Sequence, residues 1–405
     1  MIMAVANRDL MRAINRFTIL HAIRDAGEIS RVDLSRKTGL SQASVTSIAA
    51  ELIGEGLLLE QERGKSQGGR RPVPLALNPK GAYTVGAHLS IDRINVVLMD
   101  LQATIISEHT KPLDTTNQGP EPVVATLIEA VQACLWEADF SKSQVSGIGL
   151  AIPGLVDSRT GFVHFVPNYR WKNINIAEML QQRLGVTTYA ENSANTLAIY
   201  EQWFGVGRGA DNFLLITTEH GIGMGMILNG KIYRGIRGTA GEIGHTIVSE
   251  NGVLCRCGQS GCLEAICGNN AIVREAKKAA ETGEWQVKDI GSVTIEEIID
   301  AARKGNPALR EIYRRAGRIL GTGISNMHKI FDTEKIIVSG KGVLAGDLLF
   351  GPMQETLHKD ISFAEDAPTR LFIQEWQPTN YARAAGALVL QEIYQSPANR
   401  VVPII

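Results

Sequence analysis

Residues 255–268 read CRCGQSGCLEAICG, and residues 238–248, shortly before them, read GTAGEIGHTIV. Three cysteines of the first stretch lie within eight residues and are interrupted by glycines, so one loop can bring three thiolates to a single centre. Structural zinc takes four ligands in a tetrahedron, and this spacing is typical of a metal site. A histidine ten residues upstream is the natural fourth ligand. We therefore predict one structural Zn²⁺ per chain, in a loop spanning residues 245–262 and held by His245, Cys255, Cys257 and Cys262.

The alternative for this cluster is a surface loop of reduced cysteines that bind no metal. The two remaining cysteines, Cys134 and Cys267, lie in apolar runs. A free thiol in such a run behaves as a small hydrophobic side chain. We expect both to be core residues.

The composition is that of a globular protein. The chain has 405 residues, 44% hydrophobic and 20% charged, which suggests two or three folding units. It contains no run of about 18 apolar residues and no signal-peptide pattern at its N-terminus, so we expect a cytoplasmic protein without membrane insertion. Residues 1–80 carry 12 basic and 8 acidic side chains, whereas the remainder carries 29 basic and 34 acidic ones. A basic N-terminal unit is compatible with nucleic-acid binding.

The first 60 residues have the pattern of a helix-turn-helix. Apolar residues recur at helical spacing across residues 8–24, which predicts one amphipathic helix. Ser30 is placed to cap a second helix, Gly39 to supply a left-handed turn, and Ser41 to cap a third helix. The apolar stripe of the third helix consists of Val45, Ile48, Ala49 and Leu52.

The exposed half of the third helix and the hairpin after it are the predicted DNA-binding surface. Small and amide side chains on that helix suit base edges in a major groove. The hairpin has two strand-like runs and a Gly-rich basic tip, as a wing does, and the tip could reach phosphates. The alternative is a helical bundle with a solvated basic hairpin. The predicted contacts are Gln42, Ala43, Ser44, Thr46 and Ser47 of the helix and Lys65, Arg70 and Arg71 of the wing.

From Tyr83 onward the pattern becomes that of an α/β domain. Three β-branched runs between Tyr83 and Thr110 predict an antiparallel meander. Strand-like and helix-like segments then alternate towards the C-terminus, which favours an α/β fold with its sites at strand ends. The meander at the start of this region, and a strand, loop and helix at its end, indicate two related halves.

Four blocks of this region are distinctive: GIGLAIPGLVD (147–157), AENSANTLA (190–198), GTAGEIGHTIV (238–248) and CRCGQSGCLEAICG (255–268). They resemble the signatures of the ROK family, which groups bacterial sugar-responsive repressors with sugar kinases. The resemblance covers residues 8–395 and, with the helix-turn-helix in front, favours the repressor branch. It implies an actin-like, duplicated ribonuclease H-like α/β fold with a sugar in the cleft between its halves. The expected domains are a winged helix-turn-helix over residues 1–80 and a sensor domain over residues 81–405.

The same resemblance implies a sugar site. Carboxylates and amides suit it because they exchange hydrogen bonds with vicinal hydroxyls. Two glutamates bracket the zinc loop, so a metal would fix both through the backbone, and the histidine could direct its second ring nitrogen to a hydroxyl. For Glu242 alone, the alternative is a solvated loop carboxylate. The implied sugar ligands are Gly154, Asn192, Glu242, His245 and Glu264, and Asn168 matches the Pro-Asn loop of the family.

Three departures from the family's kinases predict that the chain is not an enzyme. The Asp-x-Gly-Gly-Thr phosphate loop corresponds to HLSIDRIN (88–95), which has no glycine pair. Ser193 replaces the Asp that acts as base in the kinases, and a hydroxyl cannot take that role. The second phosphate hairpin begins with Glu219, which would repel a phosphate. In the family that Asp also touches the sugar, so its loss could redirect ligand choice.

These observations favour a transcriptional regulator, a repressor of sugar uptake or catabolism genes controlled by a sugar or sugar-phosphate effector. A homodimer or homotetramer would present two winged helices to a palindromic double-stranded DNA operator. Two alternatives stay open. One is a ROK sugar kinase with an appended DNA-binding domain, and the other is a regulator controlled by a protein partner that binds the zinc loop.

Overall fold

The computed structural model describes residues 8–61, 73–113, 119–166, 169–360 and 369–394. The chain forms two compact units. The first unit contains the N-terminal helix-turn-helix as well as the first half of the α/β region, so the expected domain boundary between residues 80 and 81 stays a prediction. The first unit comprises Met1–Glu191 with Tyr381–Ile405, and the second comprises Asn192–Asn380.

The N-terminal segment is three helices and a small antiparallel sheet in the order β1-β3-β2. The predicted caps are confirmed: Ser30 Oγ accepts from the Asp33 N–H at 3.1 Å, and Ser41 Oγ accepts from the Ser44 N–H at 3.1 Å. Gly39 ends the second helix in the left-handed conformation (φ 72°). The elements are α1 (Arg8–Ala26), β1 (Glu28–Ser30), α2 (Arg31–Thr38), α3 (Gln42–Gly54), β2 (Leu58–Glu60) and β3 (Pro74–Leu77).

The rest of the first unit is built on a five-stranded sheet. The predicted meander forms its antiparallel side, and a small three-stranded antiparallel sheet follows it along the chain. The elements are β4 (Tyr83–Leu89), β5 (Arg93–Met99), β6 (Ile105–Pro112), α4 (Pro120–Glu137), β7 (Val145–Ile152), β8 (Leu155–Asp157), β9 (Phe162–Val166), β10 (Trp171–Asn175), α5 (Ile176–Leu184) and β11 (Thr188–Asn192).

The second unit has a five-stranded sheet of its own and most of the helices that follow it in sequence. The elements are α6 (Ser193–Phe204), β12 (Phe213–Thr218), β13 (Ile222–Leu228), β14 (Lys231–Ile232), α7 (Leu263–Cys267), α8 (Asn269–Glu281), α9 (Ile295–Arg303), α10 (Pro307–Phe331), β15 (Lys335–Ser339), α11 (Asp347–Asp360) and β16 (Arg370–Ile373), and the C-terminal helix α12 (Asn380–Tyr394) returns to the first unit.

The two large sheets repeat one topology. Their orders are β11-β7-β4-β5-β6 and β14-β13-β12-β15-β16. In each sheet the first strand along the chain is central, pairs antiparallel with its hairpin partner on one side, and pairs parallel with a later strand on the other. This repetition confirms the predicted duplicated α/β fold. Among the described helices, none combines the length and apolarity needed to span a bilayer.

Helix α12 packs in backbone contact with the sheet of the first unit. A Cβ built on Gly86 of β4 would lie 1.9 Å from the Ala382 carbonyl oxygen, and one built on Gly149 of β7 would lie 1.8 Å from the Ala385 carbonyl oxygen. Two strand glycines therefore let the helix approach more closely than any side chain would allow.

We expect Gly149→Ala to lower the free energy of unfolding by about 3 kcal/mol or more, because the added methyl meets backbone that cannot move without unpacking α12. The measurement is the urea midpoint of the full chain. Gly54→Ala is the matched control, since a Cβ on Gly54 meets nothing within 4 Å. An unchanged midpoint for Gly149→Ala would contradict this account of the packing.

Candidate metal and sugar-binding site

The structure brings the four predicted metal ligands together. His245, Cys255, Cys257 and Cys262 each offer one ligand atom, and these atoms lie within 4.8 Å of one another. Cys255 Sγ is 3.5 Å from His245 Nδ1, and Cys257 Sγ is 3.6 Å from Cys262 Sγ. With metal bonds of about 2.3 Å to sulfur and 2.0–2.1 Å to nitrogen, neighbouring atoms of a tetrahedral zinc site are about 3.5–3.8 Å apart. The donor set therefore fits a tetrahedral metal ion.

Short backbone pairings shape this loop, residues 245–262, which we call the metal loop. Ile247 pairs with Cys262 and Leu254 pairs with Ser260 as isolated antiparallel bridges. The Cys255 N–H donates to the Gln259 carbonyl oxygen at 2.7 Å and closes the turn that carries two ligands. The buried cluster at the ligands is small and consists of Cys255, Cys262 and Ala265.

The thiols of the cluster differ in acidity. Burial raises the pKa of Cys262 to about 12 and raises the pKa of Cys255, whereas hydrogen bonding to the backbone at Gln259 lowers the pKa of Cys257. Metal ligation requires thiolates, so binding displaces protons from the buried thiols and weakens at acid pH.

His245 has two differently placed ring nitrogens. Nδ1 faces Cys255, and Nε2 lies 3.8 Å from Glu242 Oε2. A ligating histidine whose other nitrogen faces a carboxylate is a common arrangement. The 3.8 Å separation is longer than a hydrogen bond, so a hydroxyl or a water can bridge the two atoms. Desolvation raises the pKa of Glu242, and the nearby Arg256 guanidinium opposes that effect.

Glu264, at the start of α7, is the second predicted sugar-binding carboxylate of this unit. It is 7% exposed. Arg256 Nε donates to Oε1 at 2.5 Å, Arg256 Nη2 donates to Oε2 at 2.9 Å, and the Ile222 N–H donates to Oε2 at 3.2 Å. Arg256 was not among the predicted site residues, although its position between two predicted ligand cysteines could have indicated a role at the site.

The other predicted sugar ligands have separate positions. Asn192 caps α6, where its Oδ1 accepts from the Ala194 N–H at 2.8 Å. Gly154 follows β7 in the first unit with φ 114°, and a Cβ there would lie 2.2 Å from the Phe165 carbonyl oxygen, so only glycine fits. Asn168 lies outside the described residues. The structure thus groups Glu242, His245 and Glu264.

The predicted DNA-binding helix α3 presents the expected face. Its four apolar stripe residues are buried, Ser44 is half-buried, and Gln42, Ala43, Thr46 and Ser47 are exposed. Ion pairs join α1 to the far end of α3: Arg12 and Arg16 contact Glu51, and Arg16 also contacts Glu55. Lys65, Arg70 and Arg71 of the predicted wing tip lie outside the described residues.

The segments predicted to correspond to kinase phosphate loops, and the start of α6, have contacts of their own. The Tyr169 hydroxyl donates to the Ser90 carbonyl oxygen at 2.5 Å, which ties down the turn after β4. The His88 ring stacks on Tyr381 with a centroid separation of 4.4 Å. Ser193 begins α6, and its buried Oγ has no hydrogen-bond partner among the described residues.

Comparisons with known proteins agree with this architecture. The ROK family model matches residues 84–392, and a model described as MarR family matches residues 12–72. The chain belongs to the ROK family and carries a MarR-type winged-helix DNA-binding domain in front of its ROK domain.

Relatives and solved structures add detail. The xylose repressor of Caldicellulosiruptor bescii is 28% identical over 399 residues, covering 97% of this chain and 99% of the relative. A ROK family transcriptional regulator, described as a homologue of the E. coli MLC protein, aligns over 95% of this chain and 97% of its own with 26% identity and a TM-score of 0.79. A ROK family glucokinase from Streptomyces griseus, in complex with glucose and AMPPNP, aligns over 76% of this chain and 99% of its own with 27% identity and a TM-score of 0.68.

Proposed function

We propose that this chain is a cytoplasmic transcriptional repressor of sugar uptake or catabolism genes, which binds a double-stranded DNA operator and releases it when a sugar or sugar phosphate binds. The observation that carries the proposal is the joining of an exposed recognition helix, α3, to a ROK body in one chain. A xylose repressor and a ROK family transcriptional regulator that each match nearly the whole chain support it.

The proposed DNA contacts are those expected of a winged helix. The exposed residues at the N-terminal half of α3 would meet base edges in a major groove, and Lys65, Arg70 and Arg71 would contact phosphates. The ion pairs from Arg12 and Arg16 tie α3 to α1 and so help to set the angle of the recognition helix. Two copies, as a homodimer or homotetramer, would read a palindrome.

The sugar contacts centre on Glu242 and His245. A hydroxyl oxygen about 2.8 Å from both Glu242 Oε2 and His245 Nε2, beside the line that joins them, can donate to the carboxylate and accept from the ring N–H. The proposed set of sugar ligands is completed by Gly154, Asn168, Asn192 and Glu264.

We propose zinc as the metal: His245, Cys255, Cys257 and Cys262 would hold it, and a closed four-ligand site supports structure rather than catalysis.

Sugar kinase activity is the second candidate, and the likeness to the glucokinase favours it. Ser193 in place of a carboxylate base, and the Ser90 turn tied to Tyr169, weigh against it.

Control by a protein partner is a third possibility, for which the exposed Ile247 and Leu254 of the metal loop offer an apolar surface.

The test is operator binding with and without sugars. With an operator selected from random DNA, we expect wild-type affinity to fall roughly 5–150-fold on adding the effector, the usual range of coupling between two sites. Fluorescence anisotropy with D-xylose, D-glucose, N-acetylglucosamine and their phosphates measures it. No selected operator, or an affinity that none of these compounds changes, would contradict the proposal.

Variants separate the two kinds of DNA contact in the same assay. Replacing Lys65, Arg70 and Arg71 with alanine should weaken binding to every sequence and reduce the salt slope by roughly 3, because each phosphate contact contributes about 0.9. Gln42→Ala should instead relax the choice of sequence. The control is Lys304→Ala, an exposed lysine of the second unit, which should change neither property.

A further inference from the structure

The two carboxylates of the proposed sugar site are in different states. Glu242 has a side chain that is 46% exposed, and the contact it makes within the site is the 3.8 Å approach to His245 Nε2. Glu264 is buried, and both of its oxygens accept hydrogen bonds, one from Nε of Arg256 and the other from Nη2 of Arg256 and the backbone of Ile222. Glu242 can therefore accept hydrogen bonds from a sugar directly, whereas Glu264 is already occupied.

The occupying side chain is attached to the metal loop. Arg256 stands between Cys255 and Cys257, so a metal ion held by these two candidate ligands would fix its backbone on either side. Its side chain is 44% exposed. The guanidinium can therefore rotate out into solvent without crossing the protein interior, whereas the buried Glu264 carboxylate cannot.

Backbone closes one side of Glu264 Oε2. A Cβ on Gly221, in the turn between β12 and β13, would lie 1.9 Å from Glu264 Oε2 and 3.2 Å from Arg256 Nη2. The Arg256–Glu264 ion pair thus packs directly against this turn, and no hydroxyl fits between the turn and Glu264 Oε2. A sugar hydroxyl that donates to Oε2 must therefore take the place of a guanidinium N–H.

We propose that Arg256 is a built-in competitor for the sugar: it occupies Glu264 in the ligand-free protein, and two adjacent hydroxyls displace it when the ligand binds. This inference rests on the proposed function and narrows the ligand to an uncharged sugar with a vicinal diol. Once Arg256 has moved away, Glu242 and Glu264 leave the site acidic, and an anionic sugar would be repelled. The exchange also moves a side chain of the metal loop, which links binding to that loop.

The experiment compares Arg256→Gln with wild type by calorimetric titration of the full-length protein. The probes are D-xylose, D-glucose, N-acetylglucosamine and their phosphates. We expect the variant to bind the same uncharged sugar roughly 3–30-fold more tightly, because the bidentate charged contact no longer competes, discounted for its partial exposure. Operator release should then occur at proportionally lower sugar concentration, and the phosphates should bind less well than the free sugars.

Two further variants keep the test decisive. Arg256→Lys retains the charge but loses the bidentate geometry and should bind the sugar with intermediate affinity, which covers the case in which Arg256→Gln does not fold. Gln259→Ala, an exposed residue of the same loop, should bind like wild type.

Several results would overturn the proposal. They are equal or weaker sugar binding by both Arg256 variants, a sugar phosphate that binds more tightly than its parent sugar, or no binding of any probe to wild type and variants alike. Failure of the proposed function looks different, since the sugar would then bind while operator affinity stayed constant.

Discussion

Cys257→Ser is expected to release the metal ion and to destabilise the second unit by at least about 3 kcal/mol, at the upper end of single-substitution effects. A serine hydroxyl is a poor zinc ligand, and binding free energies of about 10–16 kcal/mol in zinc-finger peptides show how much a structural metal contributes to folding. The buried cluster at the ligands, Cys255, Cys262 and Ala265, is too small to replace that contribution. The transition of a unit of this size should fall by about 6–12 °C, measured by scanning calorimetry with elemental analysis of the protein.

Cys267→Ala is the control for this experiment. Cys267 lies five residues after Cys262, is buried, and donates from Sγ to the Leu263 carbonyl oxygen within α7, away from the metal ligands. It should keep about one metal ion per chain even if packing is weakened. Wild-type protein purified without chelators that lacks stoichiometric metal, or a Cys257→Ser variant that retains it, would contradict the metal site.

No phosphoryl transfer from MgATP to a hexose or pentose is expected from the wild-type chain. A positioned base contributes about 10²–10⁴-fold to such a reaction, and Ser193 supplies no carboxylate. Ser193→Asp should not restore turnover, because the turn at Ser90 is held by Tyr169 and has no glycine pair to cradle phosphates. A coupled assay of ADP formation measures the rate.

An active ROK glucokinase assayed in parallel shows that the conditions support turnover. Circular dichroism of Ser193→Asp shows whether that variant is folded. Sugar-dependent ADP formation that follows the wild-type protein through successive columns would instead establish the kinase candidate.

Local signals explain what was predictable. Helix caps are local, because the capping residue bonds to backbone only a few residues away. The capping roles of Ser30, Gly39 and Ser41 could therefore be predicted without knowledge of the fold. The cluster of candidate metal ligands was predictable for the same reason, since the loop that joins His245 to Cys262 is short and its donor types suit a single ion.

Other features were not predicted from the sequence, because their local patterns are weak or because they depend on residues far apart in the chain. Strands β8, β9 and β10 are three to five residues long and pair mainly with one another, so their patterns do not stand out. Helix α9 did carry a readable signal, the capping box between Thr294 and Glu297. Helix α12 lies close to Gly86 and Gly149, which are more than 200 residues away in sequence, and no local pattern predicts such a contact.

The sequence by itself determined the helix-turn-helix, the duplicated α/β region, the ROK family and the four candidate metal donors, because each depends on residue type at short spacing. Only the tertiary structure decided that Glu264 is bound by Arg256, that Glu242 faces His245 Nε2, and that Arg12 and Arg16 hold α3. Charged side chains have many possible partners along a chain, and Coulomb attraction selects the one that packing brings within a few ångströms. That distance is a property of the folded backbone.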